Sequence, residues 1–188
     1  MKPFSSFIQF TIFLSFLIAT QGSLNQNLID STCRALSTNN PNIDYNFCTT
    51  SLQAFPSAKQ NATLQNLGLI TIQLIEKNVT DTKCYIQYII SNKKWDPYAK
   101  QCLSDCLELF SDSDASVKQA VTDYKNSRFD DANVQISSVM DAATTCEDGF
   151  DEERGVDSGL KKRNDYVFQL SAMALSVMNM IQNMNKLV

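Results

Sequence analysis

The sequence contains no histidine, and only five glycines and four prolines in 188 residues. Without histidine the chain lacks the commonest general base, a frequent metal ligand and the usual sensor of pH near neutrality. Neither an alternating strand pattern nor an Asn-Gly hairpin turn occurs along the chain. We therefore expect no metal, no cofactor and no histidine-dependent catalysis, and the composition favours a helical protein that binds a partner.

A hydrophobic leader opens the chain. Lys2 precedes an apolar run over residues 7–19, and Gly22 is a small residue that suits cleavage before Ser23. Residues 1–22 are therefore predicted to be a signal peptide. A membrane anchor is the alternative, but the run is shorter than the roughly 20 apolar residues that span a bilayer. No second run of that length follows, so we expect a secreted protein that does not bind a membrane.

Acidic residues outnumber basic ones, which gives a net charge of −4 at pH 7. This excess argues against nucleic acid or an anionic membrane as a partner. The acidic side chains cluster at 112–114, 130–131 and 147–153. Paired carboxylates of a glycosidase are one interpretation. Because the clusters fall at helix ends and polar helical positions, a solvated face is the favoured interpretation.

Apolar residues recur at steps of three and four in four long stretches, which is typical of amphipathic helices. The stretches are predicted at about 63–92, 97–125, 132–155 and 158–188. Asp96 and Pro97 suit an N-cap and the first helical position of the second stretch. Because the breaks are short, we predict an all-α, up-and-down four-helix bundle over residues 59–188. A different arrangement of the same helices is the alternative.

Residues 23–58, which precede the bundle, have a weaker periodicity and a turn at 39–42. Cys33 lies before this turn and Cys48 after it. We predict two or three short helices that fold back on each other as a helical hairpin. Short helices are marginal in water, and a disulfide between these cysteines would stabilise the hairpin.

Secretion makes disulfides the default interpretation of the six cysteines. Cys106 and Cys146 both occupy apolar-stripe positions, so they can meet inside the bundle. Cys84 and Cys102 flank the turn at 95–97, and a third disulfide is predicted between them, although Cys84 lies off the main stripe of its helix. A metal or redox site at Cys102 and Cys106 is disfavoured, because redox pairs usually have two intervening residues.

Two further patterns concern modification and ligand binding. Asn61 and Asn78 each begin an Asn-x-Thr acceptor sequence, so both are predicted N-glycosylation sites. The last helix carries Met173, Met178, Met180 and Met184. Such residues can line a hydrophobic pocket, but gap-filling in the core is favoured because Met184 continues the apolar stripe.

The break between the second and third bundle helices contains Ser127, Arg128 and Phe129. A basic residue beside an aromatic one on a tight loop is typical of an interface hot spot. In the other interpretation, Phe129 packs on the third helix as a hydrophobic staple and Arg128 is solvated. Composition alone does not separate the two.

A family resemblance is carried by residues 33–35, 40–41, 47–48, 105–110, 130–133 and 142–150. In their cysteine order and context these segments resemble the plant invertase and pectin methylesterase inhibitor family. The resemblance extends over nearly all of residues 23–188 and is closest to the invertase-inhibitor branch that includes pollen allergens. It implies a four-helix bundle preceded by an N-terminal helical hairpin, with disulfides Cys33–Cys48 and Cys106–Cys146.

The resemblance also implies a function. Family members bind a plant cell-wall or vacuolar carbohydrate-active enzyme, a pectin methylesterase or an acid invertase, over its active site. A secreted inhibitor in the apoplast or cell wall, with no catalysis of its own, is therefore expected. A carrier of small hydrophobic ligands or a non-inhibitory secreted helical protein is the alternative.

The family's two branches engage their targets differently. Invertase-directed members carry Pro-Lys-Phe at the positions of Ser127, Arg128 and Phe129. In this chain the proline is absent and arginine replaces lysine, so the loop is less constrained and its charge is presented differently. Esterase-directed members use the outer faces of the bundle helices instead. No short motif in the sequence separates the two targets.

Overall fold

The computed structural model describes residues 26–55, 63–152 and 158–186. The helices are α1 at 26–39, α2 (Tyr45–Gln53), α3 (Leu64–Asn92), α4 (Pro97–Lys125), α5 (Phe129–Asp151) and α6 (Lys161–Asn185). No strand occurs within these described ranges, and the all-α prediction is confirmed. The predicted signal peptide at 1–22 and the sequon at Asn61 lie outside the described residues.

Helices α3 to α6 form the predicted four-helix bundle. Each helix packs against two others: α3 and α5 both contact α4 and α6. Consequently α3 and α5 occupy diagonal corners of the bundle. The connections at 93–96 and 126–128 are too short for anything except an antiparallel return.

The beginnings of the helices follow local sequence signals. The Asp96 carboxylate accepts a hydrogen bond from the Ala99 amide at 3.0 Å, and Pro97 occupies the first helical position of α4, as predicted. At the start of α3 the Thr63 hydroxyl accepts from the Asn66 amide at 3.1 Å. These caps satisfy amide groups that would otherwise lack a partner at the helix ends.

Close packing at one level of the bundle requires a glycine. A Cβ added at Gly68 would lie 2.1 Å from the Tyr124 hydroxyl oxygen and 2.9 Å from Cγ1 of Val177. Tyr124 donates its hydroxyl proton to the Gln65 carbonyl at 2.9 Å, and its burial raises its pKa. The glycine thus lets α3, α4 and α6 approach one another.

The methionines of α6 are divided between core and surface. Met173 and Met178 are fully buried, whereas Met184 is 57 % exposed. The prediction that Met184 continues the core stripe is therefore wrong. The cause is the position of Met184 in the last turn of α6, where residues 183–186 are all exposed.

The N-terminal segment forms the predicted helical hairpin. The disulfide Cys33–Cys48 joins α1 to α2, with 5.6 Å between the Cα atoms. The hairpin docks on α6, where Phe47 packs edge-on against Tyr166 with 4.6 Å between ring centroids. The Asn40 amide also donates to the Ser176 hydroxyl at 3.2 Å. These contacts compensate for the small core that two short helices can form.

The remaining cysteines correct one prediction. Cys106 and Cys146 form a disulfide between α4 and α5, but Cys84 and Cys102 are free thiols. The predicted third disulfide is therefore absent. The reason is helical phase: Cys102 is buried with its Sγ 3.3 Å from the Gly149 carbonyl oxygen on α5, whereas Cys84 is exposed on α3.

Two features are absent from the part of the chain that the structure describes. No group of three or more histidine, cysteine or carboxylate side chains is placed to hold a metal ion there. No described helix is long and apolar enough to cross a bilayer.

Candidate functional site

The loop between α4 and α5 has a defined backbone structure. The Ser127 amide donates to the Tyr124 carbonyl at 3.0 Å, and the Arg128 amide donates to the Asp123 carbonyl at 2.9 Å. This pair of bonds forms a Schellman motif in which Ser127 occupies the left-handed position, with φ of 59°. Proline cannot occupy this position, because its ring fixes φ near −65° and it has no amide proton to donate.

The Arg128 side chain is bound to its own chain. Its guanidinium forms an ion pair with the Asp123 carboxylate, which is buried at the end of α4, and its Nε lies 3.3 Å from an Asp131 oxygen. The hydrogen bond to Asp123 raises the pKa of Arg128. About half of the side chain remains exposed, at 48 %. Arg128 can therefore offer a partner only the part of its guanidinium that does not contact Asp123 or Asp131.

Phe129 is part of the core, with only 8 % of its surface exposed. Its ring packs edge-on against Tyr124, with centroids 5.2 Å apart. The structure thus supports packing of Phe129 on the bundle and not its use as an exposed anchor. Of the three loop residues singled out in the sequence, Ser127 and Arg128 are accessible and Phe129 is not.

A second candidate surface runs along the bundle between α4 and α5, and we call it the α4–α5 groove. It consists of two cavities of about 330 Å³ and 310 Å³ that share Leu109 and Thr145. The exposed acidic side chains that line it are Asp105, Asp112, Asp141, Asp148 and Glu152. Among the residues that the structure describes, none of those lining either cavity is basic. The groove is therefore a strongly acidic, elongated surface.

The floor of the α4–α5 groove is rigid and lined by small side chains. The Cys106–Cys146 disulfide fixes the two helices, with 4.9 Å between Cα atoms, and it lines one of the two cavities. Ser113, Ser116, Ser138 and Ala142 line the other cavity. Small residues leave space for side chains from a partner, and a rigid floor lowers the entropy lost on binding.

Asp114 links the middle of α4 to α3. Its carboxylate accepts from Lys83 of α3 at 2.7 Å, from Lys118 at 3.0 Å and from Thr80 at 3.1 Å. The hydrogen bond from Lys83 is the main cause that lowers the pKa of Asp114 to about 2. This cluster joins α4 to α3, whereas the groove lies between α4 and α5, and we interpret the cluster as structural.

The sequence patterns did not identify the α4–α5 groove. Asp112, Asp148 and Glu152 belong to the clusters predicted to form a solvated face, whereas Asp105 and Asp141 were not singled out, and each of the five is exposed on its own helix. Only the relative rotation of α4 and α5 brings residues 105, 112, 141 and 148 to one surface. The sequence does contain one signal for the groove, because acidic residues cluster near Cys106 and Cys146.

Asn78 is half-buried within α3, where its Nδ2 donates to the Leu74 carbonyl at 2.8 Å. Glycosylation at Asn78 stays a prediction, and a glycan there would replace this helix contact.

Comparisons with known proteins agree with this architecture. Residues 27–177 match the family model described as "Plant invertase/pectin methylesterase inhibitor". A Platanus acerifolia protein named "Putative invertase inhibitor" is 34% identical over 176 residues, which are 94% of this chain and 97% of that protein.

Two further similarities are to proteins from Arabidopsis, the first of them from Arabidopsis thaliana. "Cell wall / vacuolar inhibitor of fructosidase 2" is 26% identical over 146 residues, 76% of this chain and 77% of that protein. The crystal structure of a mutant form of a pectin methylesterase inhibitor from Arabidopsis superposes with a TM-score of 0.64 at 25% identity. The superposition covers 72% of this chain and 89% of that one.

Proposed function

Because this chain belongs to the plant invertase/pectin methylesterase inhibitor family, we propose that it is a secreted protein inhibitor of a plant pectin methylesterase. It acts by binding the enzyme over its active site and has no catalysis of its own. The cell wall is its proposed location, by similarity to a relative named as a cell wall or vacuolar inhibitor.

The observation that carries the choice of target is the loop between α4 and α5. If the loop acted on an invertase, Phe129 would serve as an exposed apolar anchor and Arg128 as a free basic group. Here the Phe129 ring is buried against Tyr124, and the Arg128 guanidinium is paired with Asp123. Both residues that would enter an invertase active site therefore already have partners within the bundle. Releasing them would add a cost to binding.

The α4–α5 groove is the proposed contact surface. Its five carboxylates attract a target with a basic rim around its active site, and complementary charge increases the rate of association. The Cys106–Cys146 disulfide and the small lining residues make the groove a pre-organised surface. Such a surface can bind in a cleft of the target enzyme with little further loss of entropy.

Acid invertase is the second candidate target. Arg128 remains half-exposed at the tip of the bundle. The Platanus relative, 34% identical over most of both chains, is named as an invertase inhibitor. In this case Arg128 would contact acidic groups in the invertase active site, while Phe129 would support the loop from below.

A parallel titration tests the proposal. The purified, oxidised protein from residue 23 onwards is added to a plant pectin methylesterase and to a plant acid invertase at mildly acidic pH. Stoichiometric loss of esterase activity with unchanged invertase activity supports the first candidate, and the reverse pattern supports the second. Unchanged activity of both enzymes would contradict inhibition and favour a non-inhibitory binding protein.

A further inference from the structure

A third cavity, which we call the α5–α6 cleft, adjoins the α4–α5 groove. It has a volume of about 270 Å³ and lies between the end of α5 and the start of α6. Its lining includes Glu147, Asp148, Asp151, Asn164, Asp165 and Phe168. Asp148 lines both the cleft and the groove, so the C-terminal half of α5 forms a ridge between two acidic depressions.

The charge balance of the cleft favours a cation. Four carboxylates line it, and Lys161 is the one basic residue among its described lining residues. Lys161 pairs with Asp165 at 3.3 Å, and Asp165, Glu147 and Asp151 together raise the pKa of this lysine. A single exposed ammonium does not neutralise four carboxylates, and a second positive group would find a favourable potential here.

Asn164 provides an independent indication of a missing donor. This side chain is 2 % exposed and lies in the wall of the cleft. Its Nδ2 donates to a Glu147 oxygen at 2.8 Å, but its Oδ1 has no hydrogen-bond partner. A buried acceptor without a donor is unfavourable, and a group that supplies an N–H would relieve the cost.

We propose that the α5–α6 cleft receives an arginine or lysine side chain of the target enzyme, as an extension of the interface from the α4–α5 groove across the ridge of α5. This inference rests on the proposed inhibitory function. A basic side chain supplies both the positive charge that the carboxylates attract and the N–H donor that Asn164 lacks. The partly exposed ring of Phe168 lies against the aliphatic part of that side chain.

The test uses the enzyme that the wild-type protein inhibits in the parallel titration. The double variant Glu147→Gln/Asp151→Asn removes two charges from the cleft, and glutamine retains an oxygen that can accept from Asn164. The matched control Glu76→Gln/Asp81→Asn removes two charges from α3, at the diagonal corner of the bundle. Inhibition constants are measured at about 20 mM and about 200 mM salt.

We expect the cleft variant to inhibit about tenfold less tightly at low salt, with a shallower salt dependence, and the control to stay within about twofold of wild type. A cleft variant that equals wild type while wild type inhibits would overturn this inference and leave the proposed function intact. A wild-type protein that inhibits neither enzyme would overturn both. If the two double variants lose the same affinity, the effect is one of net charge and the cleft assignment is wrong.

Discussion

Arg128 forms an ion pair with Asp123, five residues earlier, across the end of α4. Asp123 is buried, with 3 % exposure, and also accepts from Gln119 at 2.9 Å, so the pair fixes the loop to the bundle. The ion pair indicates that Arg128 closes the C-terminal end of α4 and is not displayed freely to a partner. It is the basis for assigning target binding to the α4–α5 groove and not to the loop.

Replacing Ser127 by glycine should stabilise the protein. Ser127 has φ of 59°, a conformation that costs an L-residue roughly 1–2 kcal/mol and glycine almost nothing, although glycine loses more entropy on folding. The expected net gain in the free energy of unfolding is about 0.5 kcal/mol, measured by chemical denaturation. Ser104→Gly, at an exposed right-handed position inside α4, serves as the control and should destabilise. A loss of stability in Ser127→Gly would mean that the loop is not in the Schellman conformation.

Ser127→Pro provides a complementary test of the same loop. Proline removes the amide that donates to Tyr124 and cannot adopt the positive φ. We expect a loss of about 2–3 kcal/mol in the free energy of unfolding. A stable Ser127→Pro variant that gains invertase inhibition would instead show that the loop can adopt the arrangement of the Pro-Lys-Phe motif.

Asp114 should make the stability depend on pH in the acidic range. Its pKa is lowered to about 2 in the folded protein, from an ordinary value near 4, chiefly by the hydrogen bond from Lys83. The stabilisation is therefore complete above about pH 4 and is lost as the pH falls towards about 2. Asp114→Asn should lower the free energy of unfolding by about 1–2 kcal/mol at pH 6 and flatten its decline below pH 4. Parallel pH profiles for the variant and wild type would contradict this role.

The two free thiols should differ in reactivity. Cys84 is exposed and Cys102 is buried against α5, so a thiol reagent should modify one cysteine in the folded protein and a second only after unfolding. Mass spectrometry of peptides from the modified protein identifies the site. Cys84→Ser should abolish labelling of the folded state. If neither cysteine reacts in unfolded but unreduced protein, the chain contains the third disulfide after all.

Much of the architecture follows from local patterns in the sequence. The Asp96–Pro97 start of α4 and the short connections between the helices depend on residues close together in the chain, and both agree with the predictions. The missing Cys84–Cys102 disulfide and the exposure of Met184 depend on how helices rotate and where they end relative to one another. Periodicity along one helix does not contain that information.

The candidate site was harder to predict for the same reason. The Arg128–Asp123 pair and the burial of Phe129 arise from the geometry of one tight turn, and composition favoured neither outcome. The α4–α5 groove requires two helices in a particular register, so the sequence predicts only a solvated surface for Asp112, Asp148 and Glu152 and gives no signal for Asp105 and Asp141. A sequence with the same composition and another helix rotation would have no groove.

The most direct measurement compares groove and loop variants against pectin methylesterase. The groove variant is Asp105→Asn/Asp112→Asn/Asp141→Asn, and the loop variant is Arg128→Ala. We expect the groove variant to raise the inhibition constant by about tenfold or more and the loop variant to change it by less than about threefold, after circular dichroism has established equal folding. The opposite result, with inhibition lost in Arg128→Ala and retained in the groove variant, would contradict the assignment of the α4–α5 groove as the enzyme-binding surface.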